Sequence, residues 1–154
     1  MPSHEINLFA DYFQFYLQDE FADGDLSDAW NPLAVQRMFA VSNGVVGIGT
    51  VRNMDVPVKL ELLDSEPALD LGNFDHVVEG SLHIKSGPLV VAGCTDYFPD
   101  AARFELSPST YRVRLSASGL GSLSEDGLNG HDHYRVQLWQ APHIEPAVLK
   151  QRAV

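Results

Sequence analysis

The sequence predicts an all-β protein: a two-sheet antiparallel β-sandwich of the jelly-roll kind, with about eight to nine strands and one short helix. Short runs in which apolar and polar residues alternate recur along most of the chain. Glycine, proline, asparagine or aspartate separates one run from the next. The long helical patterns that a βαβ fold needs between its strands are missing from the sequence.

The length of 154 residues is typical of one domain, and we expect residues 1–154 to form a single domain. A chain of this size buries about 70% of its unfolded surface, so its core needs no disulfide or metal. Cys94 is the single cysteine, which excludes an intrachain disulfide and favours a reducing compartment. Neither a signal-peptide pattern nor a membrane-spanning apolar run is present, so we expect a cytoplasmic protein without membrane attachment.

The first apolar run covers 6–18 and is rich in aromatic residues. Its alternation is not clean, which indicates a strand buried on both faces or one whose faces switch at a bulge. After an acidic loop comes Asn31-Pro32, a good N-cap followed by a proline at the first helical position. This pair predicts the one short helix, from about Pro32 to Arg37.

The pair Asn43-Gly44 is the strongest hairpin signal, because both of its positions accept a positive φ. It predicts a tight turn between strands at 38–42 and 45–52. A flexible loop with several glycines follows later, at 119–130. Alternation predicts the remaining strands at Val56–Leu63, His76–Lys85, Leu89–Thr95, Arg103–Leu106, Tyr111–Ala117 and His133–Trp139.

The formal net charge is −11, which opposes direct binding to DNA or RNA unless basic residues gather locally. Strand pairing can bring together three of the basic residues, Arg112, Arg114 and Arg135. The acidity has two interpretations. It either keeps the protein soluble, or it forms an acidic face that binds a basic protein.

Five acidic residues fall within the ten-residue segment 19–28, which lies just before Trp30. A solvated loop explains them, but so does a partner-binding surface in which Trp30 is the anchor, as tryptophans often are at interfaces. Calcium binding is less favoured, because the loop has no glutamate at the bidentate position of an EF-hand. The predicted partner-binding residues are Asp19, Glu20, Asp23, Asp25, Asp28 and Trp30.

The sequence His131-Asp132-His133 is the best candidate for a metal site. Two histidines at i and i+2 on a strand project to one face, so both can reach the same ion. A third ligand is needed, and His76, His83 or an acid from another strand are candidates. The favoured interpretation is nevertheless a pair that caps and hydrogen-bonds the start of a strand, and we expect no cofactor.

Catalytic motifs are missing: the chain has no nucleophile elbow and no Walker loop. Cys94 follows an apolar run, which predicts a buried strand where a thiol acts as a small hydrophobe rather than a nucleophile. The aromatic cluster of the first run predicts core packing, with a stacking platform as the alternative. Its members are Phe9, Tyr12, Phe13, Phe15 and Tyr16.

Short motifs spread from Phe9 to Trp139 resemble those of the competence protein J family, the inhibitors of a DNA-entry nuclease. The resemblance implies an acidic β-sandwich that binds and blocks a nuclease, and it carries over no catalytic residues. The loop at 119–130 and the His131-Asp132-His133 sequence depart from the family pattern. The matching pieces are Asp11–Tyr16, Trp30 ahead of a short helix, the hairpin Ser42–Ile48, Arg52, Asp75–Val78, Phe104–Pro108, Thr110–Val113 and Trp139.

Two functions follow from these observations. The leading one is a non-enzymatic protein-binding domain that inhibits a basic nuclease or toxin. The alternative is a β-sandwich that binds a metal or small ligand through His131 and His133. An enzyme that depends on Cys94 is the third and least favoured function.

Overall fold

A computed structural model describes residues 3–153 of the chain. Within them lie two β-sheets, one α-helix and two 3-10 turns, at Asp11–Phe13 and Phe98–Asp100. The α-helix is α1 (Pro32–Arg37). The strands are β1 (Ser3–Phe9), β2 (Gln14–Asp19), β3 (Phe39–Ser42), β4 (Val45–Gly49), β5 (Asp55–Leu62), β6 (His76–Ile84), β7 (Leu89–Gly93), β8 (Ala102–Phe104), β9 (Ser109–Ser118), β10 (His133–Gln140) and β11 (Ala147–Lys150).

The predicted two-sheet, all-β sandwich is confirmed. One sheet has six strands in the order β1-β5-β10-β9-β6-β11, and the other has five in the order β3-β4-β2-β7-β8. The pairing departs from the predicted antiparallel arrangement at one place, where β5 and β10 run parallel with Val58 opposite Tyr134. Parallel neighbours need a long connection, and the whole of β6 to β9 lies between these two strands.

Residues 3–153 contain eleven strands, more than the predicted eight to nine, and two of the extra strands have clear causes. The first apolar run is two strands, because a 3-10 turn with positive φ at Tyr12 and Phe13 passes the chain from one sheet to the other. That change of sheet explains the irregular alternation better than a bulge does. At the other end, β11 is a short edge strand with mostly exposed side chains, so it leaves no alternation to detect.

The core lies between the two sheets and is built from the inward side chains of both. Phe15 of β2 and Tyr134 of β10 meet there with their rings edge to face, 6.4 Å between centroids. Gly80 of β6 lies directly under the ring of Phe39, where a Cβ atom would overlap the aromatic carbons. A glycine at this point therefore lets the two sheets approach.

The predicted helix and hairpin are found at their predicted places. The Asn31 side chain accepts a hydrogen bond from Ala34 N at 2.9 Å, and Met38 ends the helix in the left-handed conformation. The Asn43-Gly44 turn joins β3 to β4, with Gly44 at a φ of 75°. None of the helices in residues 3–153 has the length and apolar character that crossing a bilayer requires.

The outer face of the six-stranded sheet is covered by the segment 63–75. Arg114 donates hydrogen bonds to the carbonyls of Pro67 and Ala68, and the Arg135 guanidinium lies 4.4 Å from the centre of the Phe74 ring. Glu79 pairs with both Arg114 and Arg112. The three arginines therefore do gather on one face, but a carboxylate or the covering segment engages each one, so they form no free basic patch.

Candidate functional site

The outer face of the five-stranded sheet carries the candidate site. Along β2, Phe15 and Leu17 point into the core, so Gln14, Tyr16 and Gln18 point outward and remain half-buried. The loop 20–31 crosses this face and turns it into a groove. The groove has a volume of about 530 Å³ and is lined by Gln14, Tyr16, Gln18, Gly24, Asp25, Leu26, Ser27, Trp30, Val45 and Cys94.

Trp30 forms one wall of this groove, which we call the Trp30 groove. Its indole Nε1 donates a hydrogen bond to Gln14 Oε1 at 2.9 Å. The ring lies against Gly47 of β4, where a Cβ atom would be only 2.7 Å from Cζ2 of the indole. Glycine at position 47 is thus required for the indole to lie flat on the sheet.

A second concavity, of about 630 Å³, shares Gln14 and Trp30 with the Trp30 groove. Tyr12, Phe13 and Val35 line it, and their side chains are 68%, 52% and 60% exposed. The aromatic cluster of the first run is therefore divided: Phe15 belongs to the core, whereas Tyr12 and Phe13 face solvent. The exposed part places apolar area beside Trp30.

The acids of the loop fall into two groups. Asp23, Asp25 and Asp28 are exposed and line one shallow concavity of about 460 Å³; we call these three side chains the acidic rim. Asp25 also borders the Trp30 groove, so the two features are continuous. Hydrogen bonds from the hydroxyl and the backbone N–H of Ser27 lower the pKa of Asp25, which keeps it charged.

Asp19 does not belong to that surface, and the prediction that groups it with the exposed acids is wrong about its position. Its carboxylate is buried and accepts hydrogen bonds from the backbone N–H groups of Lys85, Ser86 and Gly87 and from the Ser86 hydroxyl. It holds the turn before β7 in place. Glu20 is half-buried and forms an ion pair with Arg103, which neutralises much of its charge.

Cys94 is also not where the sequence predicts it. It lies just after the end of β7 and is exposed, and its Sγ donates to the Asp11 carbonyl at 3.3 Å. Partial burial raises the pKa of the thiol, and the nearby Asp11 charge raises it further. A nucleophilic cysteine needs the opposite shift, so this position does not suit thiol catalysis.

Tyr16 lies beside Cys94 in the Trp30 groove. Burial raises the pKa of its phenol, and the charge of Asp96 raises it further. The hydroxyl therefore stays protonated over the whole physiological range and can serve as a hydrogen-bond donor to a bound group.

The central residue of His131-Asp132-His133 has a structural role. Asp132 is buried, its Oδ1 lies 2.9 Å from Nε of Arg52, and its Oδ2 accepts from the Tyr134 hydroxyl at 2.8 Å. His131 is exposed and His133 half-buried. Across residues 3–153 no three His, Cys, Asp or Glu side chains are grouped as a metal site would require, so the pair has no third ligand there.

Sequence reasoning missed Gln14 and Gly47 as parts of the site, and it placed Tyr16 in an aromatic cluster that was expected to pack in the core. The outward alternation of β2 was the available signal, but the change of sheet just before it obscured the phase. Gly47 follows the hairpin turn and gives no indication in the sequence that an indole lies over it.

Neither a protein-family model nor a curated protein sequence matches the chain significantly. Two solved structures do. The first is ComJ from Bacillus subtilis, an inhibitor of the DNA-degrading activity of NucA, with a TM-score of 0.67 and 15% identity over 92% of this chain and 96% of that one. The second is the product of crocagin biosynthetic gene J, with a TM-score of 0.59 and 17% identity over 92% and 100% of the two chains. The resemblance to the competence protein J family is therefore confirmed at the level of the fold.

Proposed function

We propose that this chain is a non-enzymatic protein-binding domain that inhibits a nuclease or a toxin by occupying its basic substrate groove. The observation that carries the proposal is the continuity of the acidic rim with the Trp30 groove on one exposed face. The chain shares its fold with ComJ, an inhibitor of the DNA-degrading activity of NucA, and this likeness supports an inhibitory function.

Charge supports a basic partner. A nuclease that holds DNA presents lysines and arginines to the phosphates, and the carboxylates of Asp23, Asp25 and Asp28 offer the same partners a substitute. The net charge of −11 adds a long-range attraction that accelerates encounter with a basic protein. Glu20 is left with a minor role because Arg103 already pairs with it.

The apolar part of the same face indicates that the partner is a protein and not a small molecule that binds carboxylates. Tyr12, Phe13 and Val35 are exposed beside Trp30, and aromatic side chains at the centre of an interface carry much of its binding energy. An acidic rim next to an aromatic centre combines rapid, salt-sensitive encounter with contacts that slow dissociation. We also propose the cytoplasm as its compartment, since an exposed single thiol suits reducing conditions.

The test uses the immobilised protein to capture its partner from a lysate of the source organism, followed by an assay of DNA degradation with the purified partner. The variant Asp23→Asn/Asp25→Asn/Asp28→Asn removes three charges, and the amide introduced at position 25 keeps an oxygen that can accept from Ser27. The matched control, Asp55→Asn/Asp64→Asn/Glu105→Gln, removes three exposed acids elsewhere. We expect the first variant to inhibit about tenfold less well at low salt, and the difference to shrink at high salt.

Two outcomes would overturn the proposal. In one, the captured protein degrades no nucleic acid and is not a toxin, so that nothing is inhibited. In the other, the two triple variants bind the partner equally well at low salt, which would leave the acidic rim without a special role.

A further inference from the structure

The Trp30 groove combines an aromatic wall with a single carboxylate. Of the described residues that line it, Asp25 is the one acid, and none is a lysine, an arginine or a histidine. The indole of Trp30 is half-buried, so part of its π surface remains open to the groove. An aromatic face next to an anion attracts an organic cation.

We infer that the Trp30 groove binds one arginine side chain of the partner protein, with the guanidinium stacked on the indole of Trp30 and paired with the carboxylate of Asp25. The inference rests on the proposed function, because it names the chemical group by which this face recognises its basic partner.

The chain holds one of its own arginines in the same way. On the outer face of the six-stranded sheet, the Arg114 guanidinium lies 4.9 Å from the centre of the Trp139 ring, and its Nε lies 2.6 Å from a carboxylate oxygen of Glu79. Backbone carbonyls accept its remaining hydrogen bonds. The Trp30 groove offers a tryptophan and an acid too, but none of the arginines in residues 3–153 lines it.

The carboxylate of Asp25 is prepared for a donor from outside the chain. The hydroxyl and the backbone N–H of Ser27 both donate to its Oδ1, which orients the group and lowers its pKa. Its Oδ2 accepts no hydrogen bond from residues 3–153 and is left for a guanidinium N–H. An exposed ion pair contributes little by itself, so the indole is needed as the second half of the site.

Two glutamine amides favour arginine over lysine. Gln14 Oε1 accepts from the Trp30 indole and keeps a second lone pair, and Gln18 donates through Nε2 to the Ala22 carbonyl at 3.5 Å, which leaves its Oε1 to accept. A guanidinium is planar and has five N–H donors, so it can stack on the indole while its edges donate to these oxygens. The compact ammonium group of lysine offers no such plane.

The rest of the groove suits the aliphatic stem of an arginine. Leu26 and Val45 contribute apolar lining, against which the methylene groups can pack. Asp23 and Asp28 belong to the acidic rim but do not line the groove, so they attract the cation from a distance without contacting it. Substitution of Asp25 should therefore affect a bound guanidinium more than substitution of Asp23.

The test titrates the isotope-labelled protein with the tripeptide N-acetyl-Gly-Arg-Gly-amide at constant ionic strength and follows binding by NMR. The reporters are the indole N–H of Trp30 and the backbone amides of Tyr16 and Gln18, and the buried indole of Trp139 is the internal reference. We expect saturable shifts of the reporters. The arginine peptide should bind at least about threefold more tightly than the same peptide with lysine or with the uncharged isostere citrulline.

Two substitutions probe the two halves of the site. Trp30→Leu removes the π surface, and Asp25→Asn removes the charge but keeps an oxygen that can accept a hydrogen bond. We expect each to weaken binding of the arginine peptide at least about threefold, measured on the backbone amides of β2. Trp30→Phe, which keeps a smaller ring, should have an intermediate effect. Asp23→Asn is the matched control, and it should change the affinity by less than about twofold.

The inference is overturned if the arginine and lysine peptides bind equally well. It is also overturned if Asp25→Asn and Asp23→Asn weaken binding to the same extent, because the groove would then act only through the general negative charge. Circular dichroism of each variant separates loss of the site from loss of the fold. The titration needs no partner protein, so capture of a nuclease that depends on the acidic rim would support the proposed function even if the arginine peptide fails to bind.

Discussion

Trp30 is held across the outer face of the five-stranded sheet by Gln14, whose Oε1 accepts a hydrogen bond from the indole Nε1 at 2.9 Å. The bond joins the loop 20–31 to β2 and fixes the angle of the indole. Because the indole lines both the Trp30 groove and the concavity at Tyr12 and Phe13, its angle affects the shape of both. The site thus depends on one side chain that is supported from below by Gly47.

The first prediction concerns Gly47→Ala. The added methyl group would lie 2.7 Å from both Trp30 and Leu26, so both side chains must move outward. We expect Trp30 to become more accessible to acrylamide in fluorescence quenching, and the partner to bind at least about tenfold less tightly. Gly121→Ala is the control, because no atom lies within 4 Å of its Cβ position. Equal quenching in the two variants would mean that Gly47 does not position Trp30.

The second prediction concerns Tyr134→Phe. The hydroxyl donates to the buried Asp132 and accepts from Val51 N at 2.9 Å, so its removal leaves a buried carboxylate oxygen and a backbone N–H without their partner. Each such loss costs about 1–3 kcal/mol, and we expect the free energy of unfolding in urea to fall by about 2–4 kcal/mol. Tyr111→Phe is the control.

Tyr111 is also buried, but its hydroxyl donates to a neutral carbonyl, that of Ser107, so its loss should cost only about 1 kcal/mol. If the two substitutions destabilise the protein equally, the charge of Asp132 adds nothing to the bond that Tyr134 makes.

The sequence predicts local structure well where one residue type is required for a physical reason. Asn31, Pro32 and the Asn43-Gly44 pair fix a cap and a turn through their own backbone preferences, and the structure has both. It predicts less well where the outcome depends on distant contacts. The boundary between β1 and β2 follows from pairing with strands much later in the chain, and no local pattern marks it.

The same distinction applies to the acids. Asp19 and Asp23 look alike in the sequence, yet Asp19 is buried and Asp23 is exposed. The burial of Asp19 depends on Lys85, Ser86 and Gly87, which are more than sixty residues away. Composition can therefore locate an acidic segment, but only the tertiary fold separates its structural acid from the acids that a partner can reach.

The third prediction concerns Asp19→Asn. Burial alone would raise the pKa of the Asp19 carboxyl, but the hydrogen bonds from Lys85, Gly87 and Ser86 outweigh it and lower the pKa below its usual 3.8. The stabilisation is therefore present above that value and is lost as the pH falls through the lower pKa of the folded state. An asparagine turns an amide N–H₂ toward backbone donors, so we expect a loss of about 2–3 kcal/mol at neutral pH.

Urea unfolding measured at about pH 7 and about pH 3 checks this prediction. The difference between the parent protein and Asp19→Asn should narrow at the lower pH, because below 3.8 the unfolded parent chain binds a proton at this carboxyl, whereas the folded protein binds it only at a lower pH. Asp23→Asn, an exposed acid in the same segment, should change the stability by less than about 0.5 kcal/mol at both values. A loss no larger than that of Asp23→Asn would contradict the role assigned to Asp19.

The fourth prediction concerns His76, which is fully buried between the end of α1 and the C-terminal segment. Its Nε2 donates to the Arg37 carbonyl at 2.7 Å, so the ring carries its proton there, and its Nδ1 accepts from Arg152 N at 3.2 Å. Burial lowers the pKa of His76 below its usual 6.5, and the nearby Arg152 charge adds to this, against the opposing effect of the Arg37 carbonyl. The folded protein therefore keeps a neutral ring.

The unfolded chain takes up a proton at this residue below about pH 6.5, whereas the folded protein does so only at a lower pH. Stability is consequently full above 6.5 and declines as the pH falls toward the pKa of the folded state, by at most about 1.4 kcal/mol per pH unit. We expect His76→Gln to be less stable at pH 7.5 but to lose less stability between pH 7.5 and pH 5.5. His131→Gln, at an exposed position, serves as the control. Its stability should fall with pH as that of the parent protein does, because His76 is still present to take up a proton when the chain unfolds.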